Sequence, residues 1–177
     1  WPALLAPRIL ILPTPRERAR ALLYPNPLFE TKILGEEIKR RARPGDRLHV
    51  YGSEGALFSY SGLRPATKHT LSYALTLFPK GRADYEEELA SLRANAPRFV
   101  VWSTQPLSVM ISSNLGMEYR RALLGFVLRE YRLVGRMSVS GAAATQAPET
   151  PRFEPLPPKF RPDFDEDNQL FLFERAL

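Results

Sequence analysis

Hydrophobic and polar positions in this chain switch repeatedly between the period of a helix and that of a strand. Phe29, Ile33, Leu34 and Ile38 recur at helical spacing among Glu30, Glu37, Lys39 and Arg40. This predicts an amphipathic helix with its charges turned outward. Pro44 and Gly45 of "RPGD" cannot continue it. Leu48, Val50 and Tyr51, closed by Gly52, then predict a strand. The order returns twice. Tyr85, Leu89 and Leu92 predict a helix starting near Asp84, its expected cap, followed by a strongly apolar strand in "RFVVWST" (98–104). From Met117, the residues Tyr119, Leu123, Phe126 and Val127 mark a third helix, with Arg120, Arg121 and Arg129 on its other side. "YRLVGRMSV" then reads as a strand bent or bulged at Gly135.

The flanks behave differently. Pro7, Pro13 and Pro15 prevent a regular helix over the first fifteen residues, and "TPRERARAL" predicts a short helix capped by Thr14. Six prolines between 148 and 162 make 140–168 an extended segment. "QLFLFERAL" returns to strand composition and is expected to pair back onto the sheet. "LFSYSG" reads as a short helix or turn, and "RPATKHTLSYALTLF" stays open between loop, strand and helix. The organisation expected is an arm and short helix over 1–23, an α/β domain over 24–139, the proline-rich stretch 140–168, and a last strand, 169–177, of the same domain. Helix, turn and apolar strand in repetition define the fold class as α/β. One layered domain is expected, with a partly parallel sheet of three to five strands flanked by helices.

Composition narrows the chemistry. The 177 residues include no cysteine, which excludes a disulfide scaffold, a thiolate metal site and a cysteine nucleophile. With His49 and His69 as the only histidines, a metal centre would have to be completed by carboxylates, and no metal site is expected. A formal charge of +6 invites nucleic acid. Yet the two basic clusters, "KRRARPGDR" and "RERAR", lack interleaved aromatics, so a solvated or headgroup-facing surface is the better reading. No apolar run reaches the roughly 18 residues of a membrane span, although "WPALLAPRILIL" (1–12) is largely apolar.

Two constellations could carry ligand chemistry. In open α/β sheets, ligands gather beyond the carboxyl ends of parallel strands. Tyr51, Ser53 and Glu54 follow the first strand, and Trp102, Ser103 and Thr104 follow the second. If the strands are neighbours, these six residues either share a crevice suited to a sugar or simply cap the strand ends. Arg64, Lys68 and His69 could hold a phosphate or headgroup. Otherwise they belong to a solvated loop, or Arg64 pairs with Glu54. "GSEG" has neither dinucleotide nor Walker spacing, and neither it nor "VSG" forms a hydrolase elbow. "DFDEDN" (163–168) lacks the glycine and distal glutamate of a calcium loop.

Taken in order, several motifs resemble one family. They are Phe29, Pro44-Gly45-Asp46, Val50 with Gly52, Tyr60-Ser61-Gly62, Arg64-Pro65-Ala66, Leu92, Pro97, Val100-Val101 and Tyr131. This succession over about residues 24–139 is similar to the soluble tail of bacterial polytopic membrane glycosyltransferases related to protein mannosyltransferases and the lipid A aminoarabinose transferase. Leu63, inserted between Gly62 and Arg64, and the long proline-rich segment depart from the pattern. The resemblance implies a parent enzyme that transfers a sugar from a polyprenyl-phosphate donor, with its general base, an aspartate, in an extracytoplasmic loop outside this chain. It implies no catalytic residue and no cofactor here. The expected place is the periplasmic side of the inner membrane. The expected partners are the transmembrane part of the same polypeptide, anionic lipid headgroups, and a glycan or lipid acceptor; nucleic acid is not among them. The alternative is a stand-alone small α/β enzyme or binding module for a sugar or phosphorylated ligand.

Overall fold

The computed structural model describes residues 26–139, 151–164 and 168–176. Six strands form one mixed sheet in the order β2-β1-β3-β6-β4-β5. They are β1 (Arg47–Tyr51), β2 (Arg64–Pro65), β3 (Phe99–Ser103), β4 (Tyr131–Ser138), β5 (Phe153–Pro155) and β6 (Gln169–Arg175). β1 runs parallel to β2 and β3, whereas β6 lies antiparallel between β3 and β4. The C-terminal strand therefore closes the sheet from its centre, which explains its continuous burial from Gln169 to Glu174.

The sheet has one strand more than the expected maximum of five. The additions are edges: β2 spans two residues and β5, inside the proline-rich stretch, spans three. Neither is long enough to show an alternation, and proline is tolerated at a sheet edge.

Helices cover both faces. On one side α1 (Leu28–Arg41) and α2 (Ala56–Ser61) enclose Leu34, Ile38, Leu48, Val50, Leu57, Phe99, Val101, Leu170 and Leu172. On the other, α4 (Arg82–Asn95) and α6 (Asn114–Glu130) pack Leu89, Leu92, Tyr119, Leu123 and Phe126 over Tyr51, Val100, Trp102, Phe171 and Phe173. Each large apolar side chain so buried contributes about 1.5–3 kcal/mol. The short helices α3 (Tyr73–Thr76) and α5 (Pro106–Val109) sit in connections at the carboxyl ends of the parallel strands.

Three local expectations change. Glu30 and Glu37 do not face outward but are 2% and 6% exposed. α2 presses onto α1 (a Cβ on Gly35 would run into Tyr60), so more than one side of α1 is covered. Glu37 is held by Arg40 and by Arg41 Nε, the latter 2.6 Å from Oε1. Asp84 lies inside the first turn of α4, behind Gly81 at the cap position. α6 begins at Asn114, where Ser113 Oγ accepts a hydrogen bond from Gly116 N at 3.1 Å. The pairing of β4 with β6 shifts register between Leu133 and Gly135, a bulge that lets the Phe153 ring lie on Gly135. The short helix expected over Thr14–Leu22 lies outside the described residues.

Candidate functional site

The strand register brings both expected strand ends together, with Tyr51 opposite Trp102. Their rings stack at 4.0 Å with an interplanar angle of 22°, and both are fully buried. Neither presents a face to a ligand. The Tyr51 hydroxyl and Trp102 Nε1 are buried without hydrogen-bond partners. Burial raises the pKa of Tyr51, and the Arg120 guanidinium on α6 acts in the opposite direction.

Below the aromatic pair lies a polar knot. Gly52 turns the chain out of β1 at φ +152°, a value that only glycine adopts without strain. A Cβ there would come within 2.6 Å of Ser108 Oγ and 2.8 Å of Ser103 Cβ, and closer still to Glu54 Oε2. The turn folds Glu54 back under the sheet end, where Ser103 Oγ donates to its Oε1 at 3.0 Å. Burial raises the Glu54 pKa, and the nearby hydroxyls of Ser108 and Ser103 only partly offset this. Glu54 Oε2 remains without a hydrogen-bond partner. Ser53 N donates to Ser108 Oγ at 2.8 Å, and Gly52 N donates to Ser72 Oγ at 2.8 Å. Thr104 Oγ1 accepts from Gln169 N at 3.1 Å. Of the polar groups expected to face a ligand, Ser103 therefore bonds Glu54, whereas Ser53 and Thr104 bond Ser108 and Gln169 of neighbouring segments.

A cleft of about 230 Å³ opens beside this knot. Its walls include Ser103, Thr104, Val109, Ile111, Arg120 and Phe164. Arg120 donates to the Phe164 carbonyl at 2.9 Å, tying α6 to the proline-rich segment. The sequence singled out Ser103 and Thr104, but not Ser72, Ser108 or Arg120. Their roles depend on contacts 20 to 69 residues away in the chain, which no local motif marks.

The basic trio is arranged differently. Arg64 is exposed on edge strand β2, level with Arg47, and it does not pair with Glu54, which lies buried against Ser103. Lys68 Nζ sits 2.6 Å from Glu87 Oε2, and this pair raises the lysine pKa. Partial burial, then the adjacent Lys68, lower the pKa of His69. The trio therefore forms no open phosphate fork.

A second buried pair was not anticipated. His49 on β1 and Glu88 on α4 are 2% and 1% exposed, with Nδ1 3.8 Å from Oε1. Burial lowers His49 to about 4 and raises Glu88 to about 7. Among the described residues, no three His, Cys, Asp or Glu side chains gather as a metal set. No described helix is long and apolar enough to cross a membrane. Compared with protein-family models, curated proteins and solved structures, the chain matches none.

Proposed function

We propose that this chain is a non-catalytic domain of a bacterial membrane glycosyltransferase, held on the periplasmic side of the inner membrane. The parent transfers a sugar from a polyprenyl-phosphate donor, and this domain stabilises the catalytic part or shapes the acceptor side. The closed strand-end crevice carries the reading: Tyr51 stacks on Trp102, and Glu54 is engaged by Ser103. The side chains best suited to a sugar are committed to the fold.

The motifs behind the resemblance also fall at structural corners. Pro44–Asp46 forms the turn into β1, where Asp46 Oδ2 accepts from Arg43 N at 2.7 Å. Gly52 closes the same strand, and Tyr131 bonds back to Pro97. Such positions support a shared scaffold.

The cleft beside Arg120 favours a second reading, a binding module for a sugar phosphate. Titration calorimetry of the chain with sugar phosphates and nucleotides separates the two. Flat isotherms are expected; saturable micromolar binding would move the assignment to the cleft.

A further inference from the structure

Five of the six large hydrophobic side chains exposed among the described residues lie in segments at one end of the molecule. They are Leu28, Leu71, Phe78, Leu107 and Met110, between 38% and 69% exposed, while Leu128 lies elsewhere. Topology gathers them. α1 precedes β1 through a short turn, so Leu28 starts its helix beside the carboxyl end of β1. Leu71 adjoins Ser72, whose backbone N–H and hydroxyl bond the Gly52 carbonyl and amide at the same strand end. Phe78 follows α3, and the neighbouring Leu77 carbonyl accepts from Ser112 Oγ at 2.7 Å. Leu107 belongs to α5, and its carbonyl accepts from the Tyr73 hydroxyl.

The segments bearing Leu71, Phe78 and Leu107 are hydrogen-bonded to their neighbours, yet these large apolar side chains are exposed. Phe78, at 69%, exposes more of itself than any other of the six. Scattered exposed leucines need no explanation, but clustering at one end calls for a partner. The site chemistry does not supply one, because the polar knot lies beneath this surface and is internally bonded.

Three features identify the occupant. Residues 1–25 join the described fold at Asn26, on this same end, and residues 1–12 are largely apolar. Exposed Lys80 follows Phe78 by two residues, and exposed Lys68, paired with Glu87, precedes Leu71 by three, so lysines stand beside the patch in the chain. The chain as a whole carries +6. Apolar side chains flanked by lysines suit the boundary between headgroups and acyl chains in an anionic bilayer.

We infer that the carboxyl-end surface bearing Leu71, Phe78, Leu107 and Met110 docks onto an anionic lipid bilayer. This rests on the membrane location proposed above and specifies which end of the domain meets it. The sheet then stands with the carboxyl ends of β1 and β3 toward the lipid. The cleft beside Arg120, whose wall includes Met110, opens near that boundary.

Flotation of the 177-residue chain with phosphatidylglycerol–phosphatidylethanolamine vesicles tests the inference. The wild type should float with the vesicles, less so as salt is raised. The quadruple variant Leu71→Ser/Phe78→Ser/Leu107→Ser/Met110→Ser should partition at least about tenfold more weakly. Should circular dichroism show that variant unfolded, Phe78→Ser alone decides, with an expected loss of about fivefold or more. Equal flotation of wild type and variant, or flotation of neither, overturns the proposal. So does self-association of the wild type, lost in the variant, without vesicle binding, since it assigns the surface to a second copy. None of these results depends on sugar transfer, so the glycosyltransferase reading stands or falls separately.

Discussion

The Tyr131 hydroxyl donates to the Pro97 carbonyl at 2.9 Å, joining the first residue of β4 to the approach of β3 across 34 residues. Both belong to the succession of motifs that carries the family resemblance. Tyr131 is 6% exposed, and burial pushes its hydroxyl up to about 12, so it stays a donor at any physiological pH. Tyr131→Phe keeps the ring and its edge contact with Phe126 but leaves the carbonyl without this donor. We expect a loss of about 1–2 kcal/mol, read as a lower urea midpoint with an unchanged slope.

Gly52 tests the closed crevice. Gly52→Ala would place a methyl group against Glu54, Ser103 and Ser108 at a backbone angle that alanine resists. Destabilisation of about 2–4 kcal/mol is expected from clash and strain together. A variant as stable as wild type would mean that the knot is loose enough to open.

The His49–Glu88 pair gives opposite pH limbs. Glu88 has a folded pKa of about 7, above its ordinary value, so the folded state holds the extra proton between about 4.5 and 7. Its contribution is present at low pH and is lost as pH rises through 7. His49, lowered to about 4, binds its proton more readily when unfolded, so its contribution grows from pH 4 to about 6.5. The two offset each other over most of that window. Glu88→Gln should therefore gain about 1–2 kcal/mol over wild type at pH 8 and almost nothing at pH 5. Thermal melts at both values check this, and an equal effect at the two pH values would contradict the assignment.

Glu174 holds the opposite end of the sheet. Its carboxylate receives Arg98 at 2.7 Å and lies 3.5 Å from Arg132 and 3.8 Å from Arg41. Glu174→Gln leaves three guanidinium groups around a neutral amide and should cost about 2–4 kcal/mol. Arg132→Gln should shift stability by less than about 1 kcal/mol, because Arg132 is 69% exposed. Guanidinium chloride unfolding of the two variants supplies the comparison.

The main strands and helices were legible because their patterns are local. Leu34 and Ile38 repeat at four residues and both reach 0% exposure, and the run from Phe99 to Ser103 is buried at every position, as befits a central strand. β2 and β5 were not legible, since two or three edge residues carry no period. The outward placement of Glu30 and Glu37 failed because helix periodicity identifies an apolar stripe, not a second helix packed across α1. At the site, the pairing of Tyr51 with Trp102 was accessible from strand order. Their closure on each other was not, nor was the seating of Glu54 against Ser103 at the end of β3 and Ser108 on α5.

The central claim is that this domain belongs to a membrane glycosyltransferase whose chemistry lies elsewhere in the same polypeptide. The most direct measurement is the coding sequence upstream of Trp1. The account predicts about ten hydrophobic segments, each long enough to span a bilayer, with an aspartate in the loop after the first. A start codon immediately before Trp1 would contradict it and make the cleft beside Arg120 the place to look for activity.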